Sequence, residues 1–120
     1  MKIFSVLVTL VMVGISSSWV AAQMDPPNVN RGAAIYEQHC LRCHGTTGDG
    51  NGPDARFLIV PPANFQSAES RLKSEGEMLS IIEFGIIFSP MHSWGDRLSD
   101  EDMLDVLSYV RKLGFLGSIT

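Results

Sequence analysis

Cys40-Leu41-Arg42-Cys43-His44 sets two cysteines two residues apart and puts a histidine directly after the second. This order reads as a c-type haem attachment site. The two thiols must reach the two vinyl groups of one porphyrin, and a two-residue gap on a helical turn spaces them for it. The next residue then lies beneath the iron, where imidazole is a common proximal ligand. Cys40 and Cys43 are the only cysteines in the chain, so neither has another thiol to pair with.

Rival chemistries for the pentad meet obstacles. A disulfide across two residues would be strained, and such pairs are usually redox-active. A thioredoxin-like site belongs at the end of a strand in a βαβ unit, and no such pattern surrounds this one. A structural zinc ion needs four ligands. His39, Cys40, Cys43 and His44 are too crowded in sequence to close a tetrahedron, and a second Cys or His pair is missing.

Toward the N-terminus, Met1-Lys2 is a short positive start, Ile3 to Ile15 is almost wholly apolar, and Val20-Ala21-Ala22 is a small-residue cleavage pattern. Residues 1–22 therefore read as a secretory signal peptide. Cleavage after Ala22 would leave residues 23–120, periplasmic or otherwise exported. An uncleaved anchor is the rival reading, because no charge falls between Lys2 and Asp25. Only a retained segment would place the protein at a membrane, and Ser16 to Ser18 and Gln23 shorten its apolar part below the roughly 20 residues a spanning helix needs. Export suits the cysteines, since haem attached in this way belongs to oxidising compartments.

The exported part is 98 residues, the 120 of the chain less the leader, which is the size of one small domain. Setting Lys2 aside, eight Lys and Arg face thirteen Asp and Glu, a net charge of −5. That balance argues against nucleic acid, which favours basic patches.

Pro26-Pro27 makes residues 23–28 an extended arm. Asn28 or Asn30 can cap a helix. Val29, Ala33, Tyr36 and Cys40 then recur at steps of three and four, one face of a helix. Gly32 lies on that side, where close approach of another helix would explain it. After His44, Gly45, Gly48, Gly50, Gly52 and Pro53 rule out a regular element. This loop is expected to wrap the proximal side of a haem, with the Pro53 carbonyl as a candidate acceptor for the His44 Nδ1 proton. Arg56 to Phe65 is ambiguous between helix and strand, and Arg56 and Asn64 are candidates for the haem propionates.

Ser74 and Glu77 form a capping box opening a helix that ends near Phe84, with Gly85 just past it. Met78 within it reads as core packing. Ile86 to Gly95 is apolar, irregular and broken by Pro90, a loop that can present one side chain to an iron. Met91 is the candidate sixth ligand and His92 its rival. Neighbours on an extended segment point to opposite sides, so only one of them should reach the metal. Ser99 caps a last helix with Asp100, Glu101 and Asp102 in its first turn and Met103, Val106, Leu107, Val110 and Leu113 along one stripe. Arg111 and Lys112 are expected near its end and Gly114 as its stop.

These elements together resemble a class I c-type cytochrome, a bacterial monohaem cytochrome c. The resemblance rests on the first helix with Gly32 and Tyr36, the Cys40–His44 turn with Gly45, the glycine-rich loop to Pro53, the capped helix at 74–84, the Gly85…Met91…Trp94 loop and the last helix with Tyr109. It implies an all-α fold over residues 29–116, three to five helices wrapped around one covalently bound haem c, with 117–120 as a tail. It also implies that Gly32 and Tyr36 meet Val106 and Tyr109, and it makes Pro53, Asn64 and Trp94 pocket residues. Members usually carry proline directly after the ligand Met; here His92 follows Met91 and Pro90 precedes it.

The function so implied is single-electron transfer between redox partner proteins, with no catalytic residues and no substrate chemistry of its own. A haem subunit of a periplasmic dehydrogenase, reductase or membrane complex is one alternative. A gas- or peroxide-binding protein with a vacant distal site is another.

Overall fold

Asn28 opens the first helix and ties it to the last. Its side chain accepts from the amides of Asn30 and Arg31, both at 3.1 Å, while its own amide donates to Asp105 Oδ1 at 2.7 Å. The structure, a computed structural model, describes residues 25–117. The expected signal peptide lies outside the described residues, as do residues 118–120 of the tail.

Five helices and no strands are found among the described residues: α1 Val29–His39, α2 Leu41–His44, α3 Ala68–Leu72, α4 Glu75–Phe84 and α5 Asp100–Leu116. A single 3-10 turn, Ala55–Phe57, stands in the ambiguous 56–65 stretch. The fold is the small all-α cytochrome c fold. Sequence-local chemistry starts most helices. Ser74 and Glu77 satisfy each other's amides at 3.2 and 2.7 Å, and Ser99 and Asp102 repeat the device. Five residues are too few to show a helical period, so α3 was not legible from its pattern; Ser67 caps it by accepting from the Ser70 amide.

α5 is the element against which α1, α3 and α4 all pack. Its stripe of Val106, Leu107, Val110 and Leu113 meets Tyr36 and Met78 in one core, with Phe65, Ile82 and Tyr109 at its margin. The tightest approach is α1 on α5. A Cβ at Gly32 would lie 2.0 Å from the Asp105 carbonyl oxygen, so only glycine permits this crossing. One turn on, the rings of Tyr36 and Tyr109 stand 5.3 Å apart. Asp105, 1% exposed, is paired by the Asn28 amide and by Arg31 Nε, and Arg31 also bridges to Glu101 at 2.6 Å. A carboxylate buried this deeply is tolerable only when its lone pairs are used in this way.

Gly114 does not end α5, which runs on to Leu116 with Gly117 as its cap. The glycine serves packing instead: a Cβ there would stand 2.9 Å from the Phe65 carbonyl oxygen. Arg111 consequently sits inside the helix, where its guanidinium donates to the Lys73 and Arg71 carbonyls at the end of α3.

Gly32→Val should lower stability by about 1–3 kcal/mol or more, because the atom it strikes is backbone and cannot move aside. Gly76→Ala, whose Cβ would meet nothing within 4 Å, should instead stabilise by up to about 1 kcal/mol. Thermal unfolding of the two variants checks the contrast.

Candidate haem site

Two chain segments that belong to no long helix, 58–65 and 86–94, contribute to one cavity together with the attachment turn at the end of α1. The cavity measures about 360 Å³, within the roughly 300–1,000 Å³ usual for small-molecule and cofactor sites. Cys40, Cys43 and His44 line one side of it, and Met91 and Trp94 come from the other segment. Val106 and Val110 of α5, with Met78, Ile81 and Ile82 of α4, complete an apolar lining. Polar groups gather on one short run, where Asn64, Ser67, Glu69, Ser70 and Lys73 reach the same cavity.

The attachment turn is shaped by its neighbours. α1 stops at Cys40, whose amide still donates to the Tyr36 carbonyl at 2.8 Å, and α2 restarts at Leu41. Tyr36, 1% exposed, donates its hydroxyl to the Gly45 carbonyl at 2.6 Å, so the core crossing directly braces the residue after His44. Burial pushes the Cys40 thiol up to about 12, with Cys43 adding to the shift. A thiol held protonated at neutral pH is a poor disulfide nucleophile, which weakens the disulfide reading.

Burial also lowers the His44 pKa, against an opposing pull from the Ala63 carbonyl. The neutral ring is the metal-binding form. His44 Nδ1 faces the Ala63 carbonyl at 3.3 Å, and the ring stacks on Phe65 with centroids 4.6 Å apart. Donation from Nδ1 leaves Nε2 with its lone pair free.

The acceptor is therefore Ala63 and not Pro53. Residues 52–54 are pulled back onto α2, where the Gly52 amide donates to Cys43 and the Asp54 amide to Arg42. Pro53 is left exposed outside the cavity lining. Phe65, whose amide donates to Gly48 at 2.7 Å, brings Ala63 across instead. A hydrogen bond of that span has no signature in local sequence. Arg56 does not line the cavity either; its guanidinium lies over the Phe57 ring at 4.6 Å. Asn64 does line it, with Oδ1 accepting from the Gln66 amide at 2.8 Å. Ser67, Glu69, Ser70 and Lys73 of the polar run were missed, and the Ser67 cap was the one local signal for them.

The opposite loop is stitched down at both ends. Gly85 takes φ 72°, which favours glycine, and the Ile86 amide donates to the Met91 carbonyl at 2.8 Å. Ser93 Oγ, the Trp94 amide and the Gly95 amide satisfy the last carbonyls of α4. Met91 faces the cavity. His92 is exposed and turned aside, its ring against Trp94 at 4.5 Å. Trp94 is buried, with His39 on it as well at 5.0 Å. Met78 both packs in the core and borders the cavity.

Paired thiols, a neutral imidazole and a thioether around one apolar space with a polar end match the outline of haem, an apolar ring with two carboxylates on one edge. Helix order, crossing and tethering turn together are those of a class I c-type cytochrome. Within that class the chain belongs to the family described as cytochrome C oxidase, cbb3-type, subunit III, whose model matches residues 27–110. No curated protein matches the chain. Among solved structures it is similar to the Kuenenia stuttgartiensis reducing HAO-like protein complex Kustc0457/Kustc0458, with TM-score 0.65 and 23% identity over 76% of this chain and 44% of that one. It is also similar to the dihydro-heme d1 dehydrogenase NirN in complex with DHE, with TM-score 0.54 and 26% identity over 68% of this chain and 16% of that one. This chain thus spans less than half the length of the chains it resembles. The domain is a haem-binding, electron-transfer domain.

Cys40→Ser and Cys43→Ser should each leave haem held by one thioether, and the double variant should release all of it on acid extraction. Intact mass should show one haem on the unaltered protein and none on the double variant.

Proposed function

We propose that the protein is a single-electron carrier with one haem c, bound through Cys40 and Cys43, ligated by His44 and Met91, and working outside the cytoplasm after loss of residues 1–22. The observation that carries this reading is the shared cavity: both thiols, His44 and Met91 line it, while His92 does not. When bound, the haem supplies a one-electron iron couple.

The chain's own residues do the rest. Ala63 fixes the His44 ring and its tautomer. The Ile86–Met91 and Ser93–Glu83 hydrogen bonds hold the distal loop, which limits rearrangement about the site. Met91 as a thioether ligand favours the reduced state and raises the potential. The polar run from Asn64 to Lys73 would give two propionates a hydrated exit from a largely apolar cavity. The carrier has no substrate chemistry of its own.

A second reading is favoured by the comparisons: both similar chains are longer, and one is part of a protein complex. On that reading the domain is a haem subunit of an oxidoreductase assembly. The two readings share one chemistry and differ in whether the partner is permanent.

The weak red sulfur-to-iron band of the oxidised protein should vanish in Met91→Ala and survive in both His92→Ala and Met78→Ala. Loss of the band in His92→Ala, or rapid CO binding by the reduced unaltered protein, would overturn Met91 ligation.

A further inference from the structure

Phe88 takes φ 62°, the one left-handed non-glycine residue among those described. A bulky side chain adopts that conformation at a cost in free energy. Here the ring gains no burial to offset it, since Phe88 is 99% exposed and Ile87 beside it 83%. Ser89 closes the turn that holds them out: its amide donates to the Ile86 carbonyl at 3.1 Å and its hydroxyl accepts from the Met91 amide at 3.0 Å. The tip therefore stands in the loop that carries Met91.

The opposing segment repeats the pattern. Leu58 and Val60 line the cavity, and Ile59 between them is 99% exposed. Val60 and Ile86 border the cavity and are also exposed, which puts both at its opening. Residues 58–65 and 86–94 contain no Asp, Glu, Lys or Arg, although residues 23–120 carry a net charge of −5. An uncharged apolar collar on these two segments thus borders the opening, broken where Glu69 and Lys73 of the polar run reach the cavity, on a body that is acidic overall. Exposed apolar residues grouped in this way mark an interaction site.

Charge decides the occupant. A second copy would bring two acidic bodies together around the collar, and an anionic lipid surface would repel one. A protein with an apolar socket and a basic rim satisfies both the collar and the body. We propose that Ile87 and Phe88 are the tip by which this protein seats in such a socket on its redox partner. The proposal rests on the electron-carrier reading and adds to it the place and chemistry of docking.

The test uses the haem-loaded protein and mitochondrial cytochrome c as the probe, a protein whose haem edge is ringed by lysines. Phe88→Asn keeps a residue that accepts the left-handed turn and removes the ring; Ile87→Ser/Phe88→Asn removes the whole tip. Leu72→Ser, an exposed apolar residue outside the collar, is the control. Amide-shift titration should place the contact on 86–89, and both tip variants should weaken binding and slow electron exchange roughly tenfold or more. Leu72→Ser should change neither. Exchange with hexaammineruthenium, too small to need a socket, should be equal in all four proteins. Unchanged binding in the tip variants overturns the proposal. So does tip-dependent binding to phosphatidylcholine–phosphatidylglycerol vesicles, which assigns the tip to lipid, or tip-dependent self-association in sedimentation, which assigns it to a second copy. Failure of the unaltered protein to exchange with the ruthenium reagent would instead sink the carrier reading, leaving the titration to judge the docking site.

Discussion

The backbone of α1 rests directly on the backbone of α5 at Gly32. Every other placement follows from that contact. It aligns Tyr36 with Tyr109, sends the Tyr36 hydroxyl to Gly45 and sets Cys40 at the end of a helix whose start is fixed by Asn28, Arg31 and Asp105. The attachment turn is thus carried on an element clamped at both ends. A close crossing that admits no side chain also has few alternatives nearby, because interiors are packed too densely to slide by fractions of a helical turn.

On that frame the site is made by loops. The 58–65 segment supplies the Ala63 carbonyl and the Phe65 ring to His44, and the 86–94 segment supplies Met91 and Trp94. Such segments need outside support for their backbone, and they get it from carbonyls at the ends of helices: those of Ile82 and Glu83 for the distal loop, and those of Arg42 and Cys43 for residues 52–54. The cavity lining is mostly apolar, and its polar groups are concentrated along 64–73, with Ser89 and His44 the others.

α1, α4 and α5 were legible because their signals are local. Ser74 with Glu77 and Ser99 cap as their types and spacing indicate, Asn28 takes the cap that Asn28 or Asn30 could have supplied, and Gly32 announces a close neighbour before that neighbour is known. The thiols and His44 were legible from spacing alone. Gly114 misled because a glycine near a helix end has two explanations, a stop or a contact, and only the position of Phe65 chooses between them. Pro53 misled for a related reason: it follows the right glycines, but which carbonyl reaches His44 depends on where Gly48 and Phe65 meet, and nothing within a few residues of either encodes that. The choice between Met91 and His92 as the residue facing inward needed the loop's own hydrogen bonds.

The clip between Gly48 and Phe65 makes residues 45–65 a unit of its own. Few of its backbone bonds belong to helices; those to the rest run to α2, through Gly50 to His44, Gly52 to Cys43 and Asp54 to Arg42, while Tyr36 holds Gly45 and α5 packs on Phe65. Partial opening of proteins follows contiguous units of this kind. Release of this one would part Ala63 from His44 while leaving the helix crossing intact. In such a locally loosened, still folded form the imidazole would lose its orienting carbonyl and water would gain the proximal side.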